Sequence, residues 1–211
     1  MQIGKRHVFA APLLWGAAVI ATSNVAAQTP NQMIRIATSK VKLGMLSDYQ
    51  EGQKLLNAAY KKAGSPWREV WSSSLFGEAG VYVSVSPVSS MAQFDSPSPM
   101  SQMSLEDRLK YQNLSRNCIE STRYVLGQTV DALSIRSQRT TPPKYARVLN
   151  VQTKPGKQVE FESFVKTIVL PAMKNAGVKD YWVIRTLMGG GVGSYTELTI
   201  FDKWDEIDAI L

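Results

Sequence analysis

Histidine is almost missing from this chain. The one histidine is His7, inside a segment read below as a leader, so residues 28–211 hold none. That excludes a Ser-His-Asp triad, a histidine general base, a His-ligated zinc and a proximal-His haem. Cysteine is equally scarce. Cys118 stands alone, so no intramolecular disulfide forms and the core must hold the fold. Cys118 falls on the apolar stripe of an expected helix and reads as a buried thiol; an intermolecular disulfide is the alternative. No tract of five or more basic residues occurs, and nucleic acid is not an expected partner. No apolar run reaches the roughly 20 residues of a membrane span, so no stable membrane anchor is expected.

The N-terminus has three parts. Lys5, Arg6 and His7 are basic, Val8 to Ala21 is an almost unbroken apolar run, and Val25-Ala26-Ala27 is a small-residue cleavage pattern. Together they predict a signal peptide over residues 1–27, with export to the periplasm or the extracellular space after cleavage near Ala27. The leader carries two of the 24 lysines and arginines and none of the 17 acids, so the net charge of +7 falls to +5 in the remaining 184 residues. An excess of that size reads as a solvated surface.

The chain resembles itself. Lys42-Leu43-Gly44 matches Lys154-Pro155-Gly156 at an offset of 112, with Arg35 against Arg147, Ile36 against Val148 and Tyr49 against Phe161. At an offset of 113, Ala63-Gly64 meets Ala176-Gly177, Val70 meets Val183 and Tyr82 meets Tyr195. Each copy predicts a strand, a turn, a helix, a strand, a glycine turn and a further strand. In copy one these are Ile34 to Val41, a helix capped by Ser47, Trp67 to Ser73, and Val81 to Val85. In copy two they are Ala146 to Thr153, a helix kinked by Pro171, Tyr181 to Leu187, and Ser194 to Ile200. Asp202 to Leu211 reads as a short helix, whose Asp205, Glu206 and Asp208 form a solvated face rather than a metal site. A long helix from about Ser104 to Leu126 follows copy one. Gly189-Gly190-Gly191 connects two strands and lacks Gly-Lys-Ser/Thr, so it reads as a hairpin turn and not a phosphate loop.

The expected fold class is α+β: two tandem ferredoxin-like (split βαβ) repeats forming a pseudo-dimeric α+β barrel, with a long helix between the repeats. The domains are then a first repeat plus long helix over 28–139 and a second repeat over 140–211. Arg147-Val148-Leu149, Lys154-Pro155-Gly156-Lys157, Leu170 to Gly177 and Phe201-Asp202-Lys203-Trp204 resemble the dimeric α+β barrel superfamily, and within it NIPSNAP-like domains. The superfamily also includes cofactor-free monooxygenases and haem-degrading enzymes. The missing histidine speaks against a His-bound haem.

Strand alternation puts Tyr195, Glu197 and Thr199 on one face, and Tyr82, Ser84 and Ser86 on one face. The expectation is that the aliphatic faces pack under helices while the tyrosine-bearing faces line the barrel. Tyr82, Tyr195, Trp182, Glu197, Trp71 and Asn150 are thus candidate ligand-binding residues for a small aromatic molecule. Ordinary barrel packing is the alternative reading of the same residues. Glu197 is the one acid–base group among them, and no catalytic set, cofactor or metal is implied. The leading expectation is a non-catalytic exported barrel that binds a small ligand or a protein, with a homo-oligomer possible. The alternative is a cofactor-independent monooxygenase or isomerase acting on an aromatic or quinone-like substrate.

Overall fold

The computed structural model describes residues 13–16, 31–73, 75–137, 139, 141–208 and 210. The expected leader lies outside the described residues, apart from the backbone of 13–16. The strands are β1 (Leu13–Gly16), β2 (Met33–Val41), β3 (Glu69–Ser72), β4 (Val81–Val88), β5 (Ile119–Thr129), β6 (Tyr145–Gln152), β7 (Asp180–Met188) and β8 (Ser194–Phe201). The helices are α1 (Leu46–Lys62), α2 (Leu105–Arg116), α3 (Gln158–Phe164), α4 (Leu170–Asn175) and α5 (Asp205–Asp208).

All eight strands form one antiparallel sheet in the order β1-β6-β8-β7-β5-β2-β4-β3. The sheet curls until β1 also approaches β3, which is an α+β barrel. The first half supplies β5-β2-β4-β3 and the second β6-β8-β7. β5 and β7 join the halves, from Leu126 opposite Met188 to Thr129 opposite Ile184. At Gly127 a Cβ would stand 2.5 Å from the Ile184 side chain, so only glycine lets the two sheets meet this closely.

The long helix expected to Leu126 is corrected. α2 stops at Arg116, and Ile119–Thr129 is a strand. Ser104 caps α2 as expected, its hydroxyl accepting from the Asp107 amide at 3.0 Å. Beyond Asn117 the chain is rich in Ile, Thr, Tyr and Val, which favour a pleated surface, and two neighbouring strands await it. Cys118 is fully buried as expected, but in the connection between α2 and β5 rather than on a helix. Ser47 is not a cap either: α1 begins at Leu46 and its N-cap residue is Met45. Pro171 does disturb its helix. The turn before it, Val165–Val169, widens into a π-helix between α3 and α4, which accommodates a ring that blocks the regular ladder.

The sheet has two unlike faces. Inside the barrel, Ile34 and Ile36 of β2 and Val85 of β4 meet Ile184 of β7 and Leu198 of β8, with Trp67 among them. Trp71 of β3 meets Ala146 of β6, Ile200 of β8 and Trp182 of β7. Strands that are not neighbours in the sheet touch here, so these residues fill the lumen. Outside, Val183 and Tyr195 pack beneath Phe161, Val165 and Leu170, while Tyr82 packs beside Tyr49 and Leu46 of α1.

Gly156 has φ +78°, with nothing within 4 Å of an added Cβ. Its sequence match, Gly44, is not in the left-handed region. Gly156→Val therefore isolates backbone strain and is expected to cost about 1–3 kcal/mol in thermal or urea unfolding. Gly44→Val should cost distinctly less. Equal melting curves for the two variants would contradict the turn geometry.

Candidate functional site

The six residues expected to share the barrel interior separate by face. Trp71 and Trp182 do point into the lumen and share one apolar cluster. Tyr82, Tyr195 and Glu197 do not, and their assignment to the lumen is corrected. Tyr82 lies under α1, its ring 4.6 Å from that of Tyr49, and its hydroxyl accepts from Gln50 at 2.9 Å. Tyr195 lies under α3, its ring 4.7 Å from that of Phe161, and its hydroxyl donates to Glu162 at 2.6 Å. Burial and then the Glu162 carboxylate push the Tyr195 pKa to about 12. Glu197 is buried on the same side, beside Tyr181 and Arg147; burial raises its pKa against the pull of both neighbours. Asn150 is exposed at the end of β6 and accepts from the Thr196 hydroxyl at 3.0 Å. Alternation had grouped these side chains correctly by strand. The face was inverted, because a closed lumen excludes water more completely than a helix layer and so takes the more aliphatic set.

With the faces exchanged, the polar side of the first half becomes a pocket between the sheet and α1 and α2. Arg35, Ala37 and Ser39 of β2, Ser84 and Ser86 of β4, and Thr122 and Tyr124 of β5 form its floor. Tyr49, Gln53, Leu56 and Tyr60 of α1, with Tyr111 of α2, form its roof, and Arg68 reaches in from just before β3. The cavity measures about 80 Å³.

Arg68 dominates its chemistry. It is 7% exposed. Its Nη2 donates to Gln53 Oε1 at 2.6 Å, its Nη1 to Asn57 Oδ1, and its guanidinium lies 5.2 Å from the centre of the Tyr60 ring. All three partners are neutral, and burial depresses the Arg68 pKa. Arg35 donates to the Tyr60 hydroxyl at 3.3 Å and lies over the Tyr124 ring at 4.6 Å. Among the described residues, no carboxylate lines this cavity. Burying a cation without a counter-charge is costly. An aromatic-walled pocket holding two guanidinium groups is built to stabilise an anion.

The corresponding outer face of the second half neutralises itself. Arg147 of β6 has Glu197 nearby, and Arg185 of β7 pairs with Glu162. A wider hollow of about 440 Å³ opens beside that second pair, among Gln158, Leu187 and the turn Gly190–Gly193. Its one arginine is thus already paired, and its glycine turn connects β7 to β8 as a hairpin.

Sequence reasoning missed this pocket altogether: none of Arg35, Arg68, Gln53, Tyr60 and Tyr111 was a candidate. Tyr49, Leu56, Ala59 and Tyr60 lie at helical spacing along α1. Gln53 and Asn57 follow Tyr49 at four-residue steps, and both are buried. Two amides on an otherwise apolar stripe were the available signal.

A structural arginine offers the contrast. Arg139 bonds Asp180 at 2.6 Å and Asp202 at 3.2 Å, and Ser137 completes the Asp180 shell. Arg139→Met should cost about 3 kcal/mol, since it strands a buried carboxylate. Arg68→Met should cost about 1 kcal/mol or less, because removing an unneutralised buried charge offsets the two lost hydrogen bonds. Chemical unfolding of both variants reads the difference, and the reverse order would refute this account of Arg68.

No protein-family model and no curated protein sequence matches this chain. Solved structures do resemble it. A proposed monooxygenase from Lactobacillus acidophilus superposes with a TM-score of 0.57 at 8% identity, over 84% of this chain and 80% of the other. A proposed monooxygenase from Fusobacterium nucleatum gives 0.58 at 10% identity, over 85% and 79%. An anthrone oxidase-like protein gives 0.53 at 12% identity, over 91% and 79%. At these identities the likeness is one of fold alone, an α+β barrel.

Proposed function

We propose that this protein is a cofactor-independent monooxygenase that oxidises an ionisable aromatic substrate in the pocket beneath α1 and α2. The observation that carries the reading is the buried guanidinium of Arg68 with the half-buried Arg35 nearby, both among tyrosines and neither facing a carboxylate of the pocket lining. The expectation of a non-catalytic binding barrel gives way here. The structures that share the fold are described as proposed monooxygenases and as anthrone oxidase-like, which favours the oxygenase alternative.

The chemistry asks little of the protein. A phenol or enolisable ketone bound beside two guanidinium groups ionises more readily, because they stabilise its anion. The electron-rich ring carbon reduces dioxygen and then bonds to it, giving a peroxide. The Tyr60 hydroxyl, held by Arg35, is placed to protonate the peroxide. Loss of water from that carbon leaves a carbonyl. In balance, one CH₂ and one O₂ become one C=O and one H₂O, with no external reductant. The pocket's donors are guanidinium, amide, phenol and hydroxyl groups, a set that suits an anion and repels a metal cation.

The test is oxygen uptake by the purified protein, in the presence of a chelator, with anthrone, naphthols and hydroquinones. Uptake with at least one of them is expected, with one atom of the consumed oxygen appearing as a new carbonyl of the product and no hydrogen peroxide released. Arg68→Gln should lower kcat/KM by roughly 10²-fold, as removing one electrostatic stabiliser does. No uptake with any of these substrates, despite measurable binding, would overturn the reading.

Two further readings belong to this proposal. The kinship with NIPSNAP-like domains rests on second-half residues such as Lys154-Pro155-Gly156. Export rests on the leader pattern of residues 1–27. Processing would remove β1 together with its pairing to Tyr145–Val148. Intact-mass measurement from an exporting host is expected to give a chain starting at Gln28; retention of Met1 to Ala27 would refute it.

A further inference from the structure

The pocket's charge and size together narrow what it takes. Arg68 and Arg35 bring two positive charges, and their partners within the site are amide oxygens, a phenol hydroxyl and ring faces. A single phenolate would balance one of them. In the second half, Arg147 occupies the place on β6 that Arg35 occupies on β2, and Glu197 stands on β8 where Ser84 stands on β4. There the chain supplies its own carboxylate. In the first half a hydroxyl replaces it, and the missing carboxylate is left to the ligand.

Size acts on the other end of the molecule. The pocket opens to solvent, and its volume of about 80 Å³ is about half that of the 150 Å³ engineered cavity known to admit benzene. One ring enters with an edge in the mouth, and further fused rings would lie outside the walls and gain little contact. The tyrosines of the roof and floor offer faces to one flat ring. Ser39 and Thr122, whose hydroxyls lie 3.1 Å apart, offer polar contacts to a ring hydroxyl at the floor.

We propose that the ligand of this pocket is a single-ring aromatic acid, a benzene ring bearing one carboxylate and at least one ionisable hydroxyl. The carboxylate meets Arg68 in the interior, where the planar guanidinium suits it. The hydroxyl lies toward Arg35 and Tyr60. This assignment rests on the site proposed above for oxygenation, but it concerns binding and is tested separately.

Calorimetric titration compares four probes: 2,5-dihydroxybenzoate, hydroquinone without its carboxylate, benzoate without its hydroxyls, and anthrone with three fused rings. Oxygen uptake is followed in parallel. The expected result is that 2,5-dihydroxybenzoate binds at least tenfold more tightly than any other, that added salt weakens it, and that Arg68→Gln lowers its affinity at least tenfold with an unchanged circular dichroism spectrum. If hydroquinone or anthrone binds as well, or the variant keeps full affinity, the assignment is overturned. Should the variant fail to fold, the ranking of the four probes on the parent protein still decides. Tight 2,5-dihydroxybenzoate binding without oxygen uptake would sustain this ligand class and defeat the oxygenase reading. Anthrone oxidation without 2,5-dihydroxybenzoate binding would do the opposite.

Discussion

Trp67, Trp71 and Trp182 meet Ile34, Ile184, Leu198 and Ile200 across the barrel, and this apolar filling fixes the direction of every other side chain on the sheet. A strand has only two faces. Once Ile34, Val85 and Leu198 are committed to the lumen, Arg35, Ser84 and Glu197 must point outward. The lumen is sealed by the β5–β7 pairing, and that pairing needs Gly127 because a Cβ there would strike Ile184. The closeness of the two halves therefore sets where polar groups can lie.

What the lumen refuses, the helix layers receive, and the two layers handle it differently. Beneath α3, Tyr195, Arg185 and Glu162 form a closed set, and Glu197 stands beside Tyr181 and Arg147. Beneath α1 the same strand positions leave Arg35 and the neighbouring Arg68 with neutral company. Burying a guanidinium without a carboxylate gains nothing for stability. On the proposed reading Arg68, held in orientation by Gln53 and Asn57, serves a ligand. The structural arginine, Arg139, shows the other arrangement, with Asp180 and Asp202 both in reach.

A pocket of this kind asks for reactivity in the substrate rather than in the protein. Its groups hold an anion, orient a ring and offer a phenolic proton. On the proposed reading, that suits oxidation by dioxygen of a substrate electron-rich enough to react once ionised. No acid–base motif stood out in the sequence, and the groups the proposal uses are arginines, amides and tyrosines scattered over β2, α1, α2, β5 and the approach to β3.

Much of the architecture was legible from residue patterns alone. β2, β4, β7 and β8 lie where alternation and turn glycines put them, and Gly156 takes the positive φ expected of its turn. Which residues share a strand face was legible too, since a period of two is a property of the backbone. Three matters were decided only in three dimensions. Residues 119–129 became a strand because two partner strands were waiting, an advantage that local propensity does not record. The faces of β4 and β8 were assigned by closure of the sheet, because alternation says which side chains go together and never which side is inside. The site itself was assembled from β2, β4, β5, α1, α2 and the approach to β3. Its defining property is the absence of a carboxylate near Arg68, and an absence of that kind exists only once distant segments have been brought together.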